Sequence, residues 1–181
     1  MHENNIIAKA KKGDETAIEY LLSKYEDRLF HLILKMTMNF DDSKDIMQET
    51  FLSAIKNIDH FNQESTFYTW LYRIAINKTL NHIKKAKNRQ NISLEKCCRK
   101  MYEMKGLDEH VLSFELYKRM QEAIHKLPEK YRLPFIMANM EGLPYSEIAD
   151  ILKIKENTVK IRLFRARNIL KESLKDYIYE M

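Results

Sequence analysis

From Asp14 onward, apolar residues recur at three- and four-residue steps. Ile18, Leu21, Leu22, Tyr25, Leu29, Ile33 and Leu34 predict a first helix. Asp14 is placed to cap it, and Gly13 permits the turn before it. A second helix is predicted from Asp41 or Asp42 to about Asp59, with the stripe Ile46, Met47, Phe51, Leu52, Ile55 and Ile58. Residues 61–65, FNQES, read as a polar loop. A third, long helix is predicted from about Thr66 to Lys87, its stripe including Phe67, Trp70, Leu71, Ile74, Ala75 and Leu80. Periodicity weakens over 88–107, where polar residues and Gly106 mark a linker. It returns at Asp108, where Val111, Leu112, Leu116, Met120, Ile124 and Leu127 form one face up to Pro128. Pro128 suits the first turn of the next helix, because its missing N–H would have no partner there anyway. That helix, roughly 129–141, tolerates Pro134 with a bend, and Gly142 suits its C-terminal cap.

The most specific pattern lies in PYSEIADILKIKENTVKIRLFRARNILK, residues 144–171. A short helix from Tyr145 to Leu152, a tight turn and a longer basic helix from about Glu156 make a helix-turn-helix layout. Ala149 is small where two helices would cross, and Ile148, Leu152, Ile154 and Val159 supply apolar contacts. Asn157 or Glu156 is placed to cap the second helix. Lys153 stands where many such turns place Gly, and a positive φ costs Lys energy. In the second helix Val159, Leu163, Ala166 and Leu170 face the core. Lys160, Ile161, Phe164, Arg165 and Asn168 share another side. A major-groove surface explains Ile161 and Phe164 through thymine methyl groups, with Lys160 and Arg165 as donors to guanine. Arg162, Arg167 and Lys171 flank that side and suit phosphates. The alternative is an ordinary amphipathic helix with Phe164 as a satellite of the core.

Composition narrows the fold class. Hydrophobic residues make up 45% of 181, enough for a core, and Gly and Pro number three each, too few for a turn-rich β fold. The expectation is all-α: two small helical domains joined by a linker, at 1–88, 89–109 and 110–181, with the helix-turn-helix at roughly 145–167. Gly13, Gly106 and Gly142 stand alone, which excludes a Gly-rich phosphate loop. There is no apolar run of ~18 residues and no signal-peptide core at the N-terminus. The expected location is therefore cytoplasmic. Cys97 and Cys98 are adjacent, unlike the spaced pairs of a zinc site, and read as incidental loop thiols or a redox pair.

Charge is unevenly placed. Arg73, Lys78, Lys84, Lys85, Lys87 and Arg89 make residues 72–91 purely basic. Residues 153–175 hold eight bases against Glu156 and Glu172. The net charge of the whole chain is only +5, so the remainder is acidic. Two basic stretches fit two contacts with a polyanion, and equally two solvated helix faces.

Three stretches together resemble the extracytoplasmic-function (ECF) subfamily of bacterial RNA polymerase sigma factors: DIMQETFLSAIKNI (45–58), FYTWLYRIAINKTLNHIKK (67–85) and LPEKYRLPFIMANMEGLPYSEIADILKIKENTVKIRLFRAR (127–167). They occur in the family's order and cover most of the chain outside the linker. The resemblance implies a sigma region 2 domain up to about residue 88 and a region 4 domain over 110–177. Asp45, Gln48, Glu49, Phe51 and Leu52 match the helix that docks on the β′ coiled coil of core polymerase. Read alone, Asp45 and Glu49 are a solvated i,i+4 acidic pair; only the resemblance makes them a docking surface. Phe61, the loop Asn62 to Thr66 with Ser65, and Asn77 match positions that capture bases of the opened −10 element. Lys78 begins the basic run that would follow the phosphates. Trp70 reads as core, and Tyr72 is ambiguous. Lys160, Ile161, Phe164 and Arg165, flanked by Arg162, match the −35-reading helix. Ile161 departs from the small polar residue often found there. The implied partners are promoter DNA, the polymerase β′ coiled coil and β flap, and an anti-sigma factor.

No catalytic, cofactor or metal site is expected. His2, His31, His60, His82, His110 and His125 are scattered, and Asp41, Asp42 and Asp45 suit a helix N-terminus. The rival reading is a stand-alone helix-turn-helix regulator. It has no need of the 45–85 block.

Overall fold

The computed structural model describes residues 3–86, 94–104 and 114–175. Lys87, Arg89, Gly106, Asp108, His110, Val111 and Leu112 of the sequence reading lie outside these. The described residues form helices, turns and loops with no strand among them. They divide into two compact units, Met1–Thr37 with Asp41–Arg89, and Met38–Phe40 with Gln90–Met181.

The first unit opens on a helix the periodicity did not announce, α1 (Glu3–Ala10). Its Ile6, Ile7 and Ala10 are buried against α2 (Glu15–Thr37). The two isoleucines contribute about 1.5–3 kcal/mol each. Glu3 ties the pair further, accepting from Lys24 Nζ at 2.6 Å and Tyr25 Oη at 2.9 Å. Asp14 caps α2 as expected: its carboxylate accepts from the Ala17 N–H at 3.1 Å, and Gly13 supplies the left-handed φ of 82°. Hydrogen bonds from Thr16 and Ala17 hold the Asp14 carboxyl below its ordinary range.

The second helix, α3 (Phe40–Asn57), ends in a 3₁₀ turn, Ile58–His60. Its core side is not the full predicted stripe. Ser43, Ile46, Met47, Thr50 and Ala54 are buried, Phe51 is half-buried, and Leu52 and Ile55 are exposed. Thr50 can lie inside because its hydroxyl donates to the Ile46 carbonyl at 2.7 Å, and Ser43 because it shares a 2.8 Å hydrogen bond with Thr37. The interior side therefore includes small satisfied hydroxyls beside Ile46 and Met47, while Leu52 and Ile55 turn outward.

Thr66 caps α4 (Phe67–Ala86), accepting from the Thr69 N–H at 3.1 Å. This helix packs on α2 through Phe67, Tyr68, Leu71, Tyr72, Ala75 and Ile76. Tyr72 is fully buried, whereas Trp70 and Ile74, read as core, are half-buried.

In the second unit, residues expected as linker form α5 (Leu94–Met104), packed on α6 (Phe114–Lys126). Cys97, Cys98, Met101 and Tyr102 are buried. Their spacing, 97, 98, 101 and 102, is that of a helix face, but the pattern is short and set among charged residues. The incidental-loop reading of the two thiols is thus corrected. Burial pushes both up to about 11, so neither is a reactive thiolate near neutral pH. The buried face of α6 is also rotated by about one residue from the predicted one. Tyr117, Gln121 and Ile124 are inside, while Met120 is exposed. Tyr102 packs on Phe114 and Tyr117, with ring centroids 5.6 and 5.4 Å away.

Pro128 precedes α7 (Glu129–Phe135), whose Pro134 leads into a wider π-helical turn, Ile136–Met140. Pro134 has no N–H to donate and its ring crowds the preceding turn, which explains the change of winding. Gly142 ends the turn at φ 68°. Then come α8 (Tyr145–Leu152) and α9 (Glu156–Ser173), with α9 packed along both α7 and α8.

Candidate nucleic-acid and polymerase interfaces

The turn between α8 and α9 sets the direction of α9. The Ile154 N–H bonds the Ala149 carbonyl at 3.0 Å and the Lys153 N–H bonds that of Asp150 at 3.4 Å. This paired closure requires a left-handed residue, and Lys153 takes it at φ 52°, ψ 47°. Ile148, Ala149 and Val159 are buried at the crossing, as the sequence implies, and Ile151 joins them. One expectation fails. Lys155 occupies the N-cap of α9 without a side-chain cap, so neither Asn157 nor Glu156 caps it. The helix already begins at Glu156, which instead pairs with Lys160 at 3.0 Å.

α9 has the two sides expected of it. Val159, Leu163, Ala166 and Leu170 are buried. Lys160, Arg165 and Asn168 are exposed, as are Ile161 at 47% and Phe164 at 64%; Arg162 is half-buried at the flank. An aromatic ring exposed to that extent gains little from the core, so the satellite-core reading of Phe164 does not hold. Two arginines are braced from the neighbouring helix. Arg165 Nη1 donates to Tyr131 Oη at 3.3 Å, and Arg167 Nη2 donates to Asn139 Oδ1 at 3.2 Å. The first bond, helped by the nearby Lys130 ammonium, holds the Tyr131 phenol below its ordinary range. Sequence reading missed Tyr131 and Asn139, since only packing brings α7 and the π-helical turn after it alongside α9.

Arg132 is buried, with half-buried His125 beside it. Arg132 Nη1 donates to the His125 carbonyl at 2.7 Å, anchoring the start of α7 to the end of α6. Burial, then the Arg132 charge, lowers His125 to about 4. Desolvation also lowers Arg132 from its ordinary value.

In the first unit the predicted base-capturing residues separate. Phe61 is only 2% exposed, packed against Phe67 and Trp70 with centroids 5.6 and 5.3 Å away. It cannot stack on a base without leaving the core, so its assignment as a DNA contact is corrected to a structural one. It is the residue that closes the 3₁₀ turn, its N–H bonded to the Ile58 carbonyl. Asn62 and Thr66 are exposed and Ser65 is half-buried. Asn62 Oδ1 accepts from the Glu64 N–H at 3.4 Å, and Gln63 has a φ of 61°, so the loop is a defined turn. Asn77 is exposed on α4. It lies ten residues beyond Phe67, roughly 15 Å along the helix. Lys78 leans the other way, toward Glu49 at 3.4 Å. Such a surface pair contributes about 0–1 kcal/mol and does not prevent either group from engaging a partner.

Asp45, Gln48 and Glu49 are exposed on α3, and Leu52 is 57% exposed among them. Ile55, assigned to the core by periodicity, is 41% exposed and extends the same side. The result is a helix face whose N-terminal half is acidic and whose C-terminal half carries exposed Leu52 and Ile55 with Lys56, flanked by half-buried Phe51. Among the described residues there is no cluster of His, Cys, Asp and Glu able to hold a metal ion, and no helix long and apolar enough to cross a membrane.

Comparison with known proteins supplies the frame for these surfaces. The family described as Sigma-70 region 2 matches residues 21–89, and Sigma-70, region 4, matches 117–170. The chain is 36% identical over 178 residues to the ECF RNA polymerase sigma factor SigW of Bacillus subtilis (strain 168), covering 94% of this chain and 95% of that one. It is 30% identical to the ECF RNA polymerase sigma-E factor of Haemophilus influenzae, covering 93% of each. The fold is similar to CnrH solved in complex with the cytosolic domain of CnrY, with a TM-score of 0.70, 22% identity, and 96% and 97% of the two chains covered. It also resembles the sigma factor RpoE solved with the anti-sigma factor NepR from Bartonella quintana, with a TM-score of 0.67, 23% identity, and coverage of 87% and 96%. A stand-alone regulator would not carry the region 2 match, and with both regions present in order the chain belongs to the ECF sigma factors, which direct RNA polymerase to initiate transcription at promoters.

Proposed function

We propose that α9 reads the −35 duplex while α4 and the 62–66 loop engage the opened −10 element. Lys160, Ile161, Phe164 and Arg165 meet base edges, and Arg162 meets phosphate. The observation that carries this is the exposure of Phe164 and Ile161 between cationic side chains, on a helix whose opposite side is wholly buried. Apolar groups so placed match thymine methyls, and Arg matches guanine acceptors. In the first unit Asn62, Ser65, Thr66 and Asn77 contact bases or backbone at separate nucleotides, with Lys78 beside the phosphates.

Asp45, Gln48, Glu49, Phe51 and Leu52, with Ile55, dock on the β′ coiled coil of core polymerase, where acidic residues next to exposed apolar ones fit a partner helix that offers both basic and apolar groups. Residues 1–88 act as the module for polymerase and the −10 element, and 110–181 as the −35 module, which also meets the β flap. The linker at 89–109 contains α5. The protein works in the cytoplasm, catalyses no reaction of its own, and is held inactive by an anti-sigma protein that covers exposed apolar surface such as Leu52 and Ile55.

Transcription in vitro tests the scheme. Added alone to core polymerase, the chain is expected to produce discrete start sites at its promoters. Substituting Leu52→Asp should abolish them, and Phe164→Ala should weaken them, while both variants stay folded. Unchanged transcripts with both variants would remove the two assignments.

A further inference from the structure

An exposed arginine reads a base more sharply when its long side chain is already held in place. That side chain carries about 2 kcal/mol of rotamer entropy, part of which is lost when it meets a base. Of the α9 side chains proposed to face bases, Lys160 is tied to Glu156 on its own helix. Arg165 is tied to a different helix, through Tyr131. We infer that Tyr131 is a positioning residue for promoter recognition, fixing the Arg165 guanidinium for one base pair of the −35 element. This rests on the proposed reading of α9, and it adds a residue that touches no base itself.

The geometry is consistent at each step. The guanidinium is planar, so fixing one nitrogen restricts the orientation of the whole group. The bond to Tyr131 uses one of its five hydrogens, leaving enough for a two-pronged contact with guanine. Tyr131 is half-buried in the first turn of α7, with the Lys130 ammonium 5.0 Å from its ring centroid. The adjacent Arg132 is buried and bonded to the His125 carbonyl, so this turn is anchored to α6. α7 packs along α9, so the hydroxyl is presented from a fixed surface. The same arrangement repeats further along: Arg167 is held by Asn139, whose own amide donates to the Phe135 carbonyl at 3.2 Å.

The test uses the full chain assembled with core polymerase and a set of −35 duplexes, each altered at one base pair. Arg165→Ala is expected to flatten the preference at one base pair by roughly tenfold or more. Tyr131→Phe, which removes only the hydroxyl, should reduce the preference at that same base pair by about fivefold, the scale of one ordinary hydrogen bond. Preferences elsewhere and the melting temperature should not move. In an Arg165→Ala background the Tyr131→Phe change should have no further effect. The inference is overturned if Arg165→Ala flattens a base pair and Tyr131→Phe leaves it intact, or if Tyr131→Phe weakens all sites equally. If Arg165→Ala itself flattens nothing, the base-facing role of Arg165 falls first and the inference falls with it.

Discussion

Replacing Lys153 with Gly should stabilise the second unit. Lys153 closes the α8–α9 turn at φ 52°, ψ 47°, where a side chain crowds the following carbonyl. That conformation costs a non-glycine residue about 1–2 kcal/mol. Glycine relieves the crowding but loses more backbone freedom on folding, about 0.5–1 kcal/mol. The net gain expected for Lys153→Gly is therefore about 0–1.5 kcal/mol, and its midpoint of ~0.75 kcal/mol raises the melting temperature of a unit this size by roughly 3–6 °C. The chain has a single Trp, Trp70, and it lies in the first unit, so tryptophan fluorescence is not the assay. Calorimetry, or amide exchange of α8 and α9, reports the relevant transition. Lys153→Ala is the control, because alanine meets the same crowding while also losing the charge. Equal stabilisation by Ala and Gly would refute the conformational explanation and point to charge instead.

Three further outcomes follow from burial and charge. Phe61→Ala should cost about 3–5 kcal/mol, seen as early loss of Trp70 fluorescence on heating, since it removes a ring packed against Phe67 and Trp70; a stable variant defective only in promoter opening would contradict the structural role. His125 is held near 4 against about 6.5 in an unfolded chain, so its contribution is intact above pH 6.5 and is lost as pH falls toward 4. Allowing for partial solvent access, the loss is about 1–2 kcal/mol; urea midpoints of the second unit should show it, and His125→Gln should remove that slope. Gly142→Ala should destabilise by about 1 kcal/mol although nothing crowds the site, because φ is 68° there; a neutral result in urea unfolding would mean the turn relaxes.

The sequence by itself determined the helices that carry function and much of their chemistry. Tyr145 to Leu152 and the start at Glu156 were legible because apolar spacing within a helix is a local property, and so was the buried row Val159, Leu163, Ala166 and Leu170. The strain at Lys153 was legible too, since the turn demands a backbone conformation that lysine resists. Which apolar residues lie inside was decided only by tertiary structure. Phe61 and Phe164 are the same residue type, yet one is sealed against Phe67 and Trp70 and the other stands in solvent. On α3 the hydroxyls of Ser43 and Thr50 entered the interior while Leu52 and Ile55 stayed out. Burial depends on what packs opposite, and a polar group enters once a hydrogen-bond partner is supplied. The bracing of Arg165 by Tyr131 belongs to the same class: the two are 34 residues apart, and only the packing of α7 along α9 brings them together.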